Sequence, residues 1–148
     1  MKNLPAPPAF KKYITRLLRE LVPRMELKHY QVAWKYVDKV PPPRKVKDAS
    51  LQKGGYDAEV LIDTIYLTID IALSPKMLKK FREKRYAELT LVLIHELAHE
   101  YTDEMCDQAE TTLTTRIERE ALRKLNESNT ERIARVVFSH LPREIWMP

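Results

Sequence analysis

Cysteine is nearly missing from this sequence: Cys106 is the single one in 148 residues. A lone thiol cannot close an internal disulfide, so a disulfide-stapled secreted scaffold is excluded. Glycine is almost as scarce, with only Gly54 and Gly55, side by side. Two adjacent glycines cannot supply the spaced glycines of a P-loop or a dinucleotide-binding turn. Long apolar runs are missing too. The longest, Leu91-Val92-Leu93-Ile94, is closed by His95-Glu96, far short of the roughly 18 residues that read as a membrane span. Met1 to Phe10 carries no apolar stretch of the signal-peptide kind. The expectation is a soluble, cytoplasmic protein with no membrane partner.

What is present fits one globular domain, 1–148. Hydrophobic residues make up 44% of the chain, enough for a core, and charged residues 32%, enough for a well-solvated surface. Lysine plus arginine is 26 against 21 acidic residues, a net charge of +5 that permits an acidic partner without requiring one.

Ten prolines punctuate the chain. Residues 1–8, with prolines at 5, 7 and 8, read as an extended arm. From Ala9 to Val22, apolar residues at 10, 13, 14, 17, 18, 21 and 22 predict an amphipathic helix ending before Pro23. Tyr30 to Val40 alternates as a half-buried strand, Pro41-Pro42-Pro43 ends it, and a basic loop runs to Gly55. Tyr56 to Ile71 predicts two short strands around Asp63-Thr64, with Ile65, Leu67, Ile69 and Ile71 alternating. Ser74-Pro75 opens a short helix. Three further helices are expected over Arg85–Asp103, Asp107–Asn126 and Asn129–His140, followed by an irregular tail, 141–148. The order is that of an α+β domain: an N-terminal helix, a small mixed sheet, then helices.

One segment carries chemistry: His95-Glu96-Leu97-Ala98-His99. Two of the four histidines stand four residues apart, which on a helix places both imidazoles on one face, one turn from each other. Imidazoles so placed can share a tetrahedral cation, with Zn–N bonds of about 2.0–2.1 Å. Glu96 projects near the same side, in position to take a proton from a metal-activated water. Leaving these groups unpaired beside Leu91 to Ile94 costs several kcal/mol, and a metal removes that cost. The competing reading is a pair of core histidines satisfied by hydrogen bonds.

This segment resembles the zinc-binding helix of the zincin metallopeptidases, and Ile65 to Ile71 resembles the strand that flanks the cleft in that fold. The small size and the absence of a glycine after the second histidine are similar to the minimal gluzincins and related small microbial or phage HExxH proteins. The resemblance spans about Tyr56 to Leu125. It implies that His95 and His99 bind zinc, that Glu96 is the general base, and that a later glutamate is the third ligand. It also implies possible latency, with a terminal segment lying in the cleft. Glu100 departs from the pattern, since zincins carry an uncharged residue after the second histidine.

For the third ligand, Thr102 stands where the metzincin pattern needs glycine and no histidine follows at the required spacing. On the expected next helix, Ala109, Leu113, Ile117, Ala121 and Leu125 form a stripe centred near the direction of Glu110. A carboxylate pointing into a core needs a cation, so Glu110 is the leading candidate. Glu118 and Glu120 remain open, and Asp103 qualifies only if the helix breaks there.

Weaker candidates have plainer readings. Tyr101 is a hydroxyl donor or a packed aromatic, and His140 a leaving-group acid or a helix cap. His29 reads as solvent-facing and Cys106 as a half-exposed thiol. The basic cluster Lys76, Lys79, Lys80, Arg82, Lys84 and Arg85 would suit a nucleic acid or an acidic protein, but reads first as a solvated helix face. The expected function is a zinc (Zn2+) metalloendopeptidase acting on a peptide or protein substrate, with no nucleic-acid partner. A zinc-stabilised, non-catalytic binding module is the alternative.

Overall fold

A computed structural model describes residues 2–40 and 56–148. The basic loop expected over 41–55 lies outside the described residues. The elements run α1 (Pro8–Arg24), β1 (Gln31–Tyr36), β2 (Ala58–Asp63), β3 (Thr68–Leu73), α2 (Pro75–Arg82), α3 (Tyr86–Thr112), α4 (Arg116–Ser139) and α5 (Arg143–Trp146). This is the α+β fold expected. None of the described helices is long and apolar enough to cross a membrane.

Helix α1 buries Phe10, Tyr13, Ile14, Leu17, Leu18 and Leu21 of its predicted stripe, while Val22 is half-buried at its end. It runs through Pro23 and ends one residue later. Proline in a last turn removes one hydrogen bond near a terminus that stops anyway. The sheet has strand order β1-β3-β2, with β1 parallel and β2 antiparallel to β3. Ile69, Ile71 and Leu73 of β3 face the core at 0% exposure. The expected alternation does not extend back to Ile65 and Leu67. Both lie in the β2–β3 turn and are exposed, at 85% and 41%. Asp63 makes that turn: its Oδ1 accepts from the N–H groups of Ile65 (3.0 Å) and Tyr66 (2.9 Å).

Ser74 caps α2, its Oγ accepting from the Lys76 N–H at 3.3 Å, with Pro75 at the first helical position. The helix stops in a Schellman turn. Arg85 N–H donates to the Lys80 carbonyl and Lys84 N–H to that of Phe81, while Lys84 sits at φ 57°. An L-residue in that region costs roughly 1–2 kcal/mol.

Two helix boundaries differ from expectation. Helix α3 continues without a break to Thr112, and α4 is one helix where two were expected. The interruption comes at 113–115 instead. There Thr115 Oγ1 accepts from the Glu118 N–H at 3.2 Å, and Glu118 Oε2 accepts from the Thr115 N–H at 3.0 Å. This reciprocal capping box starts α4 so firmly that Asn126 to Asn129 is carried along inside it. The stripe expected to face the core does not: Ile117 and Leu125 are 79% and 57% exposed. Thr130 and Ala134 are buried in their place.

Both terminal segments pack onto the body of the domain. The arm runs beside β1, where Leu4 N–H donates to the Tyr36 carbonyl at 2.8 Å and Asn3 bridges Val37. The tail is not irregular throughout. It forms α5, buries Ile145, and accepts the Tyr13 hydroxyl at the Trp146 carbonyl (2.6 Å).

Candidate metal centre

The site starts from the apolar face of α3. Leu89, Leu93, Ile94, Leu97 and Ala98 have 0% exposure, at helical spacings of three and four. They lock one side of α3 into the core and leave His95, Glu96 and His99 on its flank, half-buried. The two imidazoles stand with ring centroids 5.0 Å apart and planes at 85°.

Helix α4 returns antiparallel along that flank. Its contacts step down α4 as they step up α3: Glu131 and Glu127 at His95, Thr130 at Thr102 (2.7 Å), Asn126 at Asp103 (2.8 Å), and Arg123 at Glu110. Glu127 therefore arrives at the histidines. One of its oxygens is 3.5 Å from His95 Nε2 and the other 4.0 Å from His99 Nε2. Donor atoms of His95, His99 and Glu127 all lie within 4.8 Å of one another, the single such group among the described residues.

These distances suit a small cation. Ligands about 2.0–2.1 Å from zinc on tetrahedral corners stand about 3.4 Å apart, close to the separations observed. The opposite ring nitrogens are also engaged. His99 Nδ1 lies 2.8 Å from Asp103 Oδ1, which also accepts from Asn126, and His95 Nδ1 lies 3.3 Å from Glu131 Oε2. Carboxylates at Nδ1 hold the rings so that Nε2 faces the shared space, as outer-sphere partners of metal-binding histidines do.

The charges are mutually tuned. The hydrogen bond that His95 donates to Glu127, ahead of an opposing burial effect, raises the His95 pKa above its ordinary value. Burial lowers that of His99, but Asp103 and the nearby carboxylates outweigh it and the net shift is upward. Glu127 is held below the usual carboxylate range by His95. Burial pushes Glu96 up to about 7 in the metal-free chain.

His95, Glu96 and Glu131 line a cleft of about 400 Å³ together with Tyr56, Asp57 and Lys80. Two of the residues predicted to work together, His95 and Glu96, thus share a solvent-connected space.

Glu110 is not brought to the histidines. It lies on α3 itself, about three turns beyond His99 and roughly 16 Å along the axis, ion-paired with Arg123. Glu118 is the capping-box residue, and Glu120 pairs with Arg116 at 2.7 Å. Asp103 contacts His99 through the outer ring nitrogen, in a helix that does not break. The departure at Glu100 is absorbed by the Tyr30 hydroxyl, which donates to it. Tyr101 donates to the Met25 carbonyl, and His140 caps α4 through the Val136 carbonyl (2.8 Å). His29 is exposed, and Cys106 is buried and in no disulfide.

Glu127 was missed because Asn126 to Asn129 reads as a helix break. The signal that finds it is Thr115-Arg116-Ile117-Glu118, which marks the start of α4. On an antiparallel hairpin turning there, the residues facing His95 and His99 fall near Glu127 and Glu131. Comparison with protein-family models, curated proteins and solved structures yields no match to this chain.

Proposed function

We propose that the protein is a zinc-dependent metallopeptidase of the gluzincin kind, with His95, His99 and Glu127 as zinc ligands and Glu96 as general base. The observation that carries this reading is the donor count. Three side chains converge among the described residues, and a catalytic zinc site keeps a position open where a structural site closes with a fourth protein ligand.

Zinc in this place would supply Lewis acidity toward a peptide carbonyl and acidify a water. The chain's own residues do the rest. Asp103 and Glu131 hold the two imidazoles in orientation. Glu96, in the cleft, takes the proton of the attacking water and passes it to the departing amine. Among the described residues, strand β2 is an edge strand, and its start, Ala58, lines the cleft. An extended substrate would pair with that edge by strand addition. The single cysteine, buried and in no disulfide, suits a cytoplasmic setting.

The test is Glu96→Gln. Zinc content stays at one equivalent per chain within error, while peptide hydrolysis falls by about 10²–10⁴-fold. Hydrolysis that survives this substitution removes Glu96 from its role. Failure of the wild-type chain to retain zinc removes the whole reading.

A further inference from the structure

The basic cluster on α2 folds into a cavity that adjoins the cleft. Lys76, Lys79 and Lys80 are three and four residues apart, so they neighbour one another on α2. The left-handed turn at Lys84 doubles the chain back and places the Arg85 N–H on the Lys80 carbonyl. Among the described residues, these four cations and the Asp57 carboxylate line a pocket of about 320 Å³. Asp57 and Lys80 also line the cleft that contains His95 and Glu96. The two spaces therefore meet at a single ion pair, Lys80 Nζ to Asp57 Oδ2 at 3.0 Å.

Lys80 is held in place, with only 15% of its side chain exposed, whereas Lys79 at 72% is free to adapt to a ligand. Glu83 and Glu88 offset part of the charge: Glu83 lies 3.7 Å from Lys79 and 3.1 Å from Arg85, and Glu88 accepts from Arg85 Nε at 2.7 Å. The pocket wall itself stays predominantly cationic.

We propose that this pocket is an anion subsite of the cleft and selects peptides bearing aspartate or glutamate side chains on the α2 side of the scissile bond. The inference rests on the peptidase reading of the adjoining cleft. A peptide extended along the edge of β2 presents same-side residues roughly 7 Å apart, so residues close to the scissile bond can reach the pocket. A nucleic acid is the weaker occupant. Stacking on bases needs available aromatic faces, and the three rings nearby are committed elsewhere. Tyr56, in the adjoining cleft, packs on Val37, Val40 and Ala72. Phe81 packs on Phe10 and Tyr13, and Tyr86 packs on Tyr13 and Phe81.

The experiment compares a fluorescein-labelled glutamate-rich peptide with its glutamine counterpart and with a single-stranded DNA oligonucleotide. Capture is read by anisotropy on zinc-loaded Glu96→Gln protein, and cleavage on the zinc-loaded wild-type protein. The Lys76→Glu/Lys79→Glu pair is set against a control, Lys11→Glu/Lys12→Glu on the exposed side of α1. The expected result is a preference for the glutamate peptide that falls about tenfold in the α2 variant and less than about twofold in the control, and that weakens with added salt. Thermal melts establish that both variants fold; should the α2 variant not fold, Lys76→Gln/Lys79→Gln replaces it. Equal losses in the two variants, no preference in the wild type, or an α2-dependent loss confined to the oligonucleotide each overturn the subsite. Selective capture without cleavage by the wild type leaves the subsite standing and overturns the peptidase reading instead.

Discussion

The two halves of α3 are held by different forces. The first half buries Leu89, Leu93, Ile94, Leu97 and Ala98 completely against α1 and the sheet. Each large apolar side chain so buried contributes about 1.5–3 kcal/mol. The second half is joined to α4 by polar links: Thr102 to Thr130, Asp103 to Asn126, Glu110 to Arg123. Such links contribute about 1 kcal/mol net apiece. His95, Glu96 and His99 stand where these regimes meet. The imidazoles are fixed by a rigid apolar scaffold, whereas Glu127 is delivered by a helix whose nearby contacts are exchangeable polar ones. A metal bound between them would therefore tie the softer element to the stiffer one, and its binding energy would add to folding stability.

The sharpest way to break this contrast is Leu93→Ala. It should cost about 2–5 kcal/mol in denaturant unfolding, and a loss near zero would show that the first half of α3 is not the scaffold. Next comes the choice of carboxylate. Glu127→Ala should reduce zinc affinity more than about 100-fold, past the range of outer-sphere changes, while Glu110→Ala leaves it unaltered. Competitive titration with a chelating dye reads both, and equal losses would put the ligand assignment in error.

Asp103→Asn should cost about 10–100-fold in zinc affinity by loosening His99. It also has a signature in pH. In the metal-free protein both histidines keep their protons above the ordinary value of 6.5. Zinc must displace those protons, so affinity is full above the raised pKa values and is lost as pH falls through them. Without the Asp103 carboxylate, the pKa of His99 drops and the acid-side loss moves to lower pH. An unchanged profile would assign Asp103 a purely structural part. The smallest effect belongs to the polar half's outer surface. Leu125→Ala, at a residue 57% exposed, should alter stability by no more than about 0.5 kcal/mol.

Where local chemistry decides, the sequence is readable. The α1 stripe, the Ser74-Pro75 helix start and the mixed sheet follow from periodicity and capping. Reading fails where two local signals compete. The run Asn126-Glu127-Ser128-Asn129 has weak helix formers and resembles a break, yet the capping box at Thr115 and the burial of Thr130 and Ala134 carry the helix through it. Ile117 and Leu125 keep perfect helical spacing and still face solvent, because spacing defines a face without stating what covers it.

The sequence alone determined that two imidazoles and a carboxylate would share one helix flank, since 3.6 residues per turn leave a five-residue motif no other arrangement. Only the tertiary structure decided which distant acid joins them. That depended on where α3 ends and how α4 returns, and the partner 28 positions beyond His99, Glu127, is set by the register of two packed helices rather than by any local pattern.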